Sequence, residues 1–136
     1  MIVADTSGLL ALYNAAEPAH AGVARAVADE REPVMVSPYV VAELDYLVAT
    51  RAGPQAALAV LRELSGGAYP LACLEADDLV VVGDVLERYA DLRLGVADAS
   101  LLVLADRYAT SRLLTLDRRR FGAVRTLGGA PFAVLP

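Results

Sequence analysis

Two carboxylates stand where short apolar stretches of the chain end. Asp5 follows residues 2–4 in "MIVADTSGLLALYN", and Asp117 follows "RLLTL" at 112–116. Short apolar runs of this kind predict buried strands. An unpaired carboxylate beside a buried strand is costly, so each acid should be compensated or face a site. Ligands of parallel sheets bind beyond the carboxyl ends of the strands, so the pattern predicts a crevice lined by both acids.

Further acids stand on predicted helices. Asp98 opens an apolar helix at 96–110, either as its N-cap or as a carboxylate kept ionised by the helix N-terminus. On the predicted helix 37–53, Glu43 and Asp45 fall on opposite edges of one apolar stripe. Only one of those two can face the crevice, and helical geometry does not choose between them. Glu75 belongs to a group of acids that the macrodipole of the following helix explains.

The expected cluster therefore joins Asp5, Asp98 and Asp117 with either Glu43 or Asp45. Gathered carboxylates repel one another unless a cation joins them. Hard divalent cations such as Mg²⁺ take oxygen ligands, keep several waters and bind phosphates. Such a cluster is suited to metal-assisted attack of water on a phosphate ester.

The elements that must position these acids alternate between short strands and longer helices. Strands between helices imply crossover connections and a mostly parallel sheet covered on both faces. The expected fold is an α/β, three-layer α/β/α sandwich with about five strands, forming one domain over residues 1–136. The predicted strands are 2–4, 33–37, 69–74, 112–116 and 132–135, and the predicted helices are 6–13, 18–29, 37–53, 53–67, 75–92 and 96–110.

Composition restricts the possible partners and compartments. A net charge of −5 is unlike that of proteins that simply coat nucleic acids. No apolar run approaches the ~20 residues of a membrane helix, and the start of the chain resembles no signal peptide. A single cysteine, Cys73, excludes an internal disulfide, fits a reducing cytoplasm and is expected in the core. A single histidine, His20, cannot by itself build a zinc site.

Three other phosphate-handling classes are excluded by particular residues. Phosphatases of the haloacid-dehalogenase type need a second Asp two residues after the first, where this chain has Ser7. Receiver domains need a late Lys, and the chain contains no Lys. No GxxxxGK loop is present, which excludes a P-loop nucleotide-binding protein.

Four motifs, in order and at these spacings, resemble the PIN-domain family and within it the VapC-type toxins of bacterial toxin–antitoxin pairs. The motifs are "VADTSGLLALYN", "SPYVVAELDYLV", "LRLGVADASLLVLADRY" and "LLTLDRRRF". The resemblance implies Asp5, Glu43, Asp98 and Asp117 as the acidic site, and so selects Glu43 over Asp45. It also implies that Thr6 helps to position the site.

The family resemblance implies a cytoplasmic endoribonuclease that uses Mg²⁺ or Mn²⁺ and leaves 5′-phosphate and 3′-hydroxyl ends. Asp5, Glu43 and Asp98 would hold one ion, and Asp117 would hold a second ion or the attacking water. The basic cluster Arg118, Arg119 and Arg120 is expected either to bind RNA phosphates or to form a solvated turn. A cognate VapB-type antitoxin and a homodimer are the expected partners. The alternative is a catalytically silent PIN-like module that only binds a partner.

Overall fold

Four parallel strands form the sheet of the computed structural model, which describes residues 1–136. Their order across the sheet is β2-β1-β3-β4, and Val3 of β1 pairs with Met35 on one side and with Leu113 on the other. The strands are β1 (Ile2–Ala4), β2 (Val34–Val36), β3 (Arg112–Leu114) and β4 (Ala133–Leu135). The helices are α1 (Thr6–Tyr13), α2 (His20–Ala28), α3 (Pro38–Ala52), α4 (Pro54–Glu63), α5 (Ala76–Arg88), α6 (Val96–Arg107) and α7 (Arg118–Ala123).

The predicted parallel α/β fold is confirmed, with four strands in place of about five. The expected strand 69–74 contributes only a parallel bridge between Leu71 and Val36 at the β2 edge. Two hydrogen bonds make this bridge, from the Val36 N–H to the Pro70 carbonyl and from the Ala72 N–H to the Val36 carbonyl. Pro70 has no N–H to donate, which limits pairing in this segment.

Local signals in the sequence set the ends of the long helices. Ser37 caps α3 by accepting the Tyr39 N–H at 3.2 Å, and Pro38 occupies the first helical position. Gly53 ends α3 with φ at +91°, a value that favours glycine. Helix α6 lies at the centre of the molecule, packed on β1, α3 and α5, and residues 99–105 are all buried. None of the helices combines the length and hydropathy that a membrane span requires.

Helix α1 packs unusually close to the end of β3. A Cβ added at Gly8 would stand 2.5 Å from the Leu114 carbonyl oxygen and 2.9 Å from the Leu114 carbonyl carbon. The same oxygen accepts the Asp5 N–H at 2.9 Å. Gly8 therefore permits the approach that holds the start of α1 against the carboxyl end of the sheet.

Candidate active site

Asp5 is compensated by hydroxyl groups. It is 5% exposed, and its Oδ2 accepts hydrogen bonds from Ser7 Oγ at 2.6 Å and Thr115 Oγ1 at 2.7 Å. The Ser7 N–H adds a longer bond at 3.4 Å, which makes Asp5 the N-cap of α1. No arginine forms an ion pair with this carboxylate. Sequence reasoning missed Ser7 and Thr115, although each is a hydroxyl residue two positions from a site acid.

Thr6 connects the first helix to Glu43. Its Oγ1 donates a 2.6 Å hydrogen bond to Glu43 Oε2, across the start of α1 and the second turn of α3. Thr6 is 5% exposed, so this hydroxyl has a fixed direction. The structure thus brings Glu43 to the site edge, and Asp45 makes no such contact. Thr6 is the first residue of α1 and not its cap, because Asp5 takes that role.

Asp98 lies at the third position of α6, in its first turn, and Gly95 stands at the N-cap position that was one of the two alternatives for Asp98. Asp98 Oδ2 accepts the Gly95 N–H at 2.8 Å. Burial raises the pKa of Asp98 above its usual range, the Gly95 N–H opposes that shift, and the charges of Asp5 and Glu43 add to it. Asp98 is therefore close enough to Asp5 and Glu43 for their charges to act on it.

Asp117 shares one neighbour with Asp5 and another with Asp98. Its N–H donates to Thr115 Oγ1 at 3.0 Å, the same hydroxyl that donates to Asp5. Its Oδ1 accepts the Arg120 N–H at 3.0 Å and so caps α7. The Arg120 guanidinium lies between two acids, with Nε 3.5 Å from Asp117 and Nη1 3.7 Å from Asp98. One arginine therefore faces a group of acidic side chains that carries more negative charge than it can neutralise.

The donor set fits a hydrated divalent ion. Four carboxylates offer hard oxygen atoms. Burial is the main cause that raises the pKa of Asp98, and the charges of Asp5 and Glu43 raise it further. No group of three or more histidine, cysteine or acidic side chains is placed to hold a metal ion by direct contacts alone. Contacts through water would suit Mg²⁺, which keeps several of its waters when it binds protein carboxylates.

The three consecutive arginines have different environments, so they are not one basic cluster. Arg118 donates to the Pro136 carbonyl, Arg119 is exposed, and Arg120 pairs with the acids. They begin a helix, α7, where the sequence suggested a turn. Buried Phe121 anchors that helix to the core.

Three other residues singled out in the sequence lie outside the site. His20 Nδ1 is 2.9 Å from the Ala11 carbonyl and joins α2 to α1. Glu75 caps α5 together with Asp78, as its position at a helix start predicted. Cys73 is exposed, and its expected place in the core is wrong because residues 69–74 do not form a central strand.

A family model described as PIN domain matches residues 2–127. The chain belongs to the PIN-domain family. This PIN domain is 53% identical to Ribonuclease VapC26 of Mycobacterium tuberculosis over 135 residues, which are 99% of this chain and 100% of that protein. The crystal structure of M. tuberculosis VapC20, described as a sarcin-ricin loop cleaving toxin, matches 88% of this chain and 92% of its own. That match has a TM-score of 0.80 at 24% identity and shows the shared fold. The resemblance to the VapC group is confirmed.

Proposed function

We propose that this VapC-type toxin ribonuclease hydrolyses RNA with divalent metal ions held by Asp5, Glu43, Asp98 and Asp117, leaving 5′-phosphate and 3′-hydroxyl ends. The observation that carries the proposal is the linkage of the acids through shared neighbours. Thr115 Oγ1 bonds to both Asp5 and the Asp117 N–H, Arg120 lies within 4 Å of both Asp117 and Asp98, and Thr6, next to Asp5, bonds to Glu43. The four acids come from distant segments of the chain and lie near the carboxyl end of the sheet. We place the activity in the cytoplasm, where cellular RNA is found.

Asp5, Glu43 and Asp98 are proposed to hold one Mg²⁺ or Mn²⁺, partly through water, and Asp117 to help hold a second ion or the attacking water. A bound ion of this kind lowers the pKa of its water and neutralises charge on the phosphate. The chain offers no alternative base beside the acids, because it has no Lys and its one His is bonded to the Ala11 carbonyl.

The remaining polar residues of the site orient these acids. Ser7 and Thr115 hold Asp5 Oδ2, and Thr6 holds Glu43 Oε2. The Gly95 N–H holds Asp98 Oδ2. Each acid therefore keeps one oxygen engaged with the protein, which fixes the direction of its carboxylate and reduces the entropy lost when RNA and metal bind.

We infer that the partners are a VapB-type antitoxin and a second copy of this chain. An apolar groove of about 640 Å³ runs between α1, α3 and α4, and Ser7 and Leu116 place one end of it beside the acids. A partner segment with apolar residues for the groove and an arginine for the acids matches this surface. Exposed apolar side chains elsewhere, such as Tyr46 at 68% and Val80 at 66%, support burial against a further chain.

The proposal is tested by sequencing RNA ends from cells that express the wild type, Asp5→Asn or Glu43→Gln, with Asp45→Asn as the matched control. We expect new 5′-phosphate ends with the wild type and Asp45→Asn only, because Asp45 does not bond to the site. Purified protein should lose cleavage in excess EDTA and gain thermal stability with Mg²⁺ or Mn²⁺.

Full cleavage in EDTA, or by Asp5→Asn with metal present, would refute the metal-centred mechanism. A wild type that produces no new ends, yet inhibits growth as strongly as Asp5→Asn does, would favour the silent partner-binding module.

A further inference from the structure

A second, polar cleft lies directly beside the acids. It has a volume of about 580 Å³ and is lined by Asp91, Leu92, Arg93, Asp117, Arg119 and Arg120. Asp117 and Arg120 also belong to the acidic group, so the cleft is continuous with the site. Its far wall comes from the 3₁₀ turn Ala90–Leu92 and the residue that follows it. Leu92 is the one apolar side chain in its lining.

Arg93 enters this cleft from an unusual backbone conformation. Its φ of 51° and ψ of 47° lie in the left-handed region, and its N–H closes the turn onto the Ala90 carbonyl at 3.2 Å. Glycine or asparagine is the usual residue at such a position, because side chains crowd the backbone there. Ala109 is the other residue of this kind, but it carries no functional group. The presence of an arginine in this backbone conformation therefore indicates a role for its side chain.

The arginines of the cleft divide into one that is paired and two that are free. Arg120 faces Asp98 and Asp117. Arg93 and Arg119 form no ion pair and donate no side-chain hydrogen bond within the chain. Arg118, their neighbour in sequence, lies outside the cleft and donates to the Pro136 carbonyl. Two arginines without ion pairs thus line a cleft that also contains Asp117 of the acidic group.

We propose that Arg93 and Arg119 bind an RNA backbone phosphate next to the scissile one, so that the strand leaves the site along this cleft. The proposal rests on the proposed function and extends it. A guanidinium offers parallel N–H donors that match two phosphate oxygens. On a chain with a net charge of −5 and acids at the site, such a subsite would offset the repulsion of an approaching polyanion.

The test measures binding of a labelled, mixed-sequence single-stranded RNA of about 12 nucleotides by fluorescence anisotropy, across a salt series with Mg²⁺. All proteins carry Asp5→Asn, so that the RNA is not cleaved. Arg93→Ala and Arg119→Ala are compared with Arg118→Ala and Arg25→Ala, which remove the same charge elsewhere. Arg25 is exposed near the end of α2. That end of the helix lies at the amino end of the sheet, away from the acids, because Glu30 just beyond it contacts the Met1 amino group.

Arg93→Ala and Arg119→Ala should each weaken binding about tenfold. Each should also reduce the slope of log affinity against log salt by about 0.7, the value for one lost contact to a single strand. Arg118→Ala and Arg25→Ala should leave the slope unchanged. A slope for Arg93→Ala equal to that for Arg25→Ala would overturn the subsite.

Two further variants separate binding from folding and from the chemistry. Arg93→Asn suits the left-handed backbone and should lose binding while melting as the parent protein does. Arg93→Lys keeps the charge and should retain the salt slope. If the wild type fails to cleave RNA while these effects persist, the metal-centred mechanism fails and the phosphate subsite stands. If cleavage occurs but Arg93→Asn binds RNA as tightly as the parent, the subsite fails alone.

Discussion

Replacing Gly8 by alanine tests the close packing of α1 on β3 that brings Asp5 to the site. Alanine is favoured over glycine within helices by up to about 1 kcal/mol. Against this gain, the new Cβ would stand 2.5 Å from the Leu114 carbonyl oxygen, well inside the ~3.5 Å at which such atoms pack. The obstacle is backbone in a buried strand and cannot rotate away. Overpacking costs about 1–3 kcal/mol, and the rigid obstacle at Gly8 favours a cost near the upper value. After the gain of about 1 kcal/mol from alanine, we expect a net destabilisation of about 2 kcal/mol.

Gly83→Ala is the matched control, since a Cβ at Gly83 in α5 would meet no atom within 4 Å. That variant should be more stable than the wild type by about 1 kcal/mol. Urea unfolding and thermal melting measure both changes, and each kcal/mol corresponds to about 4 °C in a chain of this size. RNA cleavage should fall in Gly8→Ala and not in Gly83→Ala. A Gly8→Ala protein that melts at or above the wild-type Tm would refute the packing argument.

Three further outcomes follow from the site and the surface. Thr115→Val removes the 2.7 Å bond to Asp5 and should destabilise the protein by about 2 kcal/mol in urea unfolding; an unchanged midpoint would show that the hydroxyl is dispensable. Burial and the nearby carboxylates raise the pKa of Asp98, so in EDTA its contribution to stability is present at low pH and is lost as the pH rises through that pKa. Asp98→Asn should flatten this dependence, and identical pH profiles would contradict it. Light scattering at tens of micromolar, a concentration that detects micromolar dimers, should give the mass of two chains, and a monomer mass would count against the homodimer.

The helices were predictable wherever the chain carries its own end signals. Ser37 with Pro38, and Gly53, mark the two ends of α3 to the residue. The segment 69–74 has strand-like residues, but only its bridge at Leu71 forms, because pairing at a sheet edge depends on neighbours that are distant in sequence. Helix α7 was not predicted because charged residues dominate its first turn. Two features of the sequence could have indicated it: Asp117 as a helix cap, and Phe121 as an apolar residue that anchors the helix.

Asp5, Asp98 and Asp117 were predicted as site residues from sequence because strand ends and helix starts are local features. The choice of Glu43 over Asp45 came from the family motif and stays a prediction, which the hydrogen bond from Thr6 to Glu43 supports. Hydroxyl donors such as Thr115 were overlooked because a threonine in an apolar stretch is typical of strands. Arg93 could not be predicted at all, since a left-handed φ is a property of the folded backbone.

The hydroxyl pair at Asp5 also bears on which cation the proposed metal site would favour. Asp5 Oδ2 already receives hydrogen bonds from Ser7 and Thr115, which leaves Oδ1 as the oxygen free for an ion. With one oxygen engaged, Asp5 would bind the proposed ion through its other oxygen alone, which suits the small octahedral shell of Mg²⁺. Ca²⁺ prefers six to eight ligands and often takes both oxygens of a carboxylate. In the proposed metal site, discrimination between the two ions would therefore depend on Ser7 and Thr115, the residues that bond to Asp5 Oδ2.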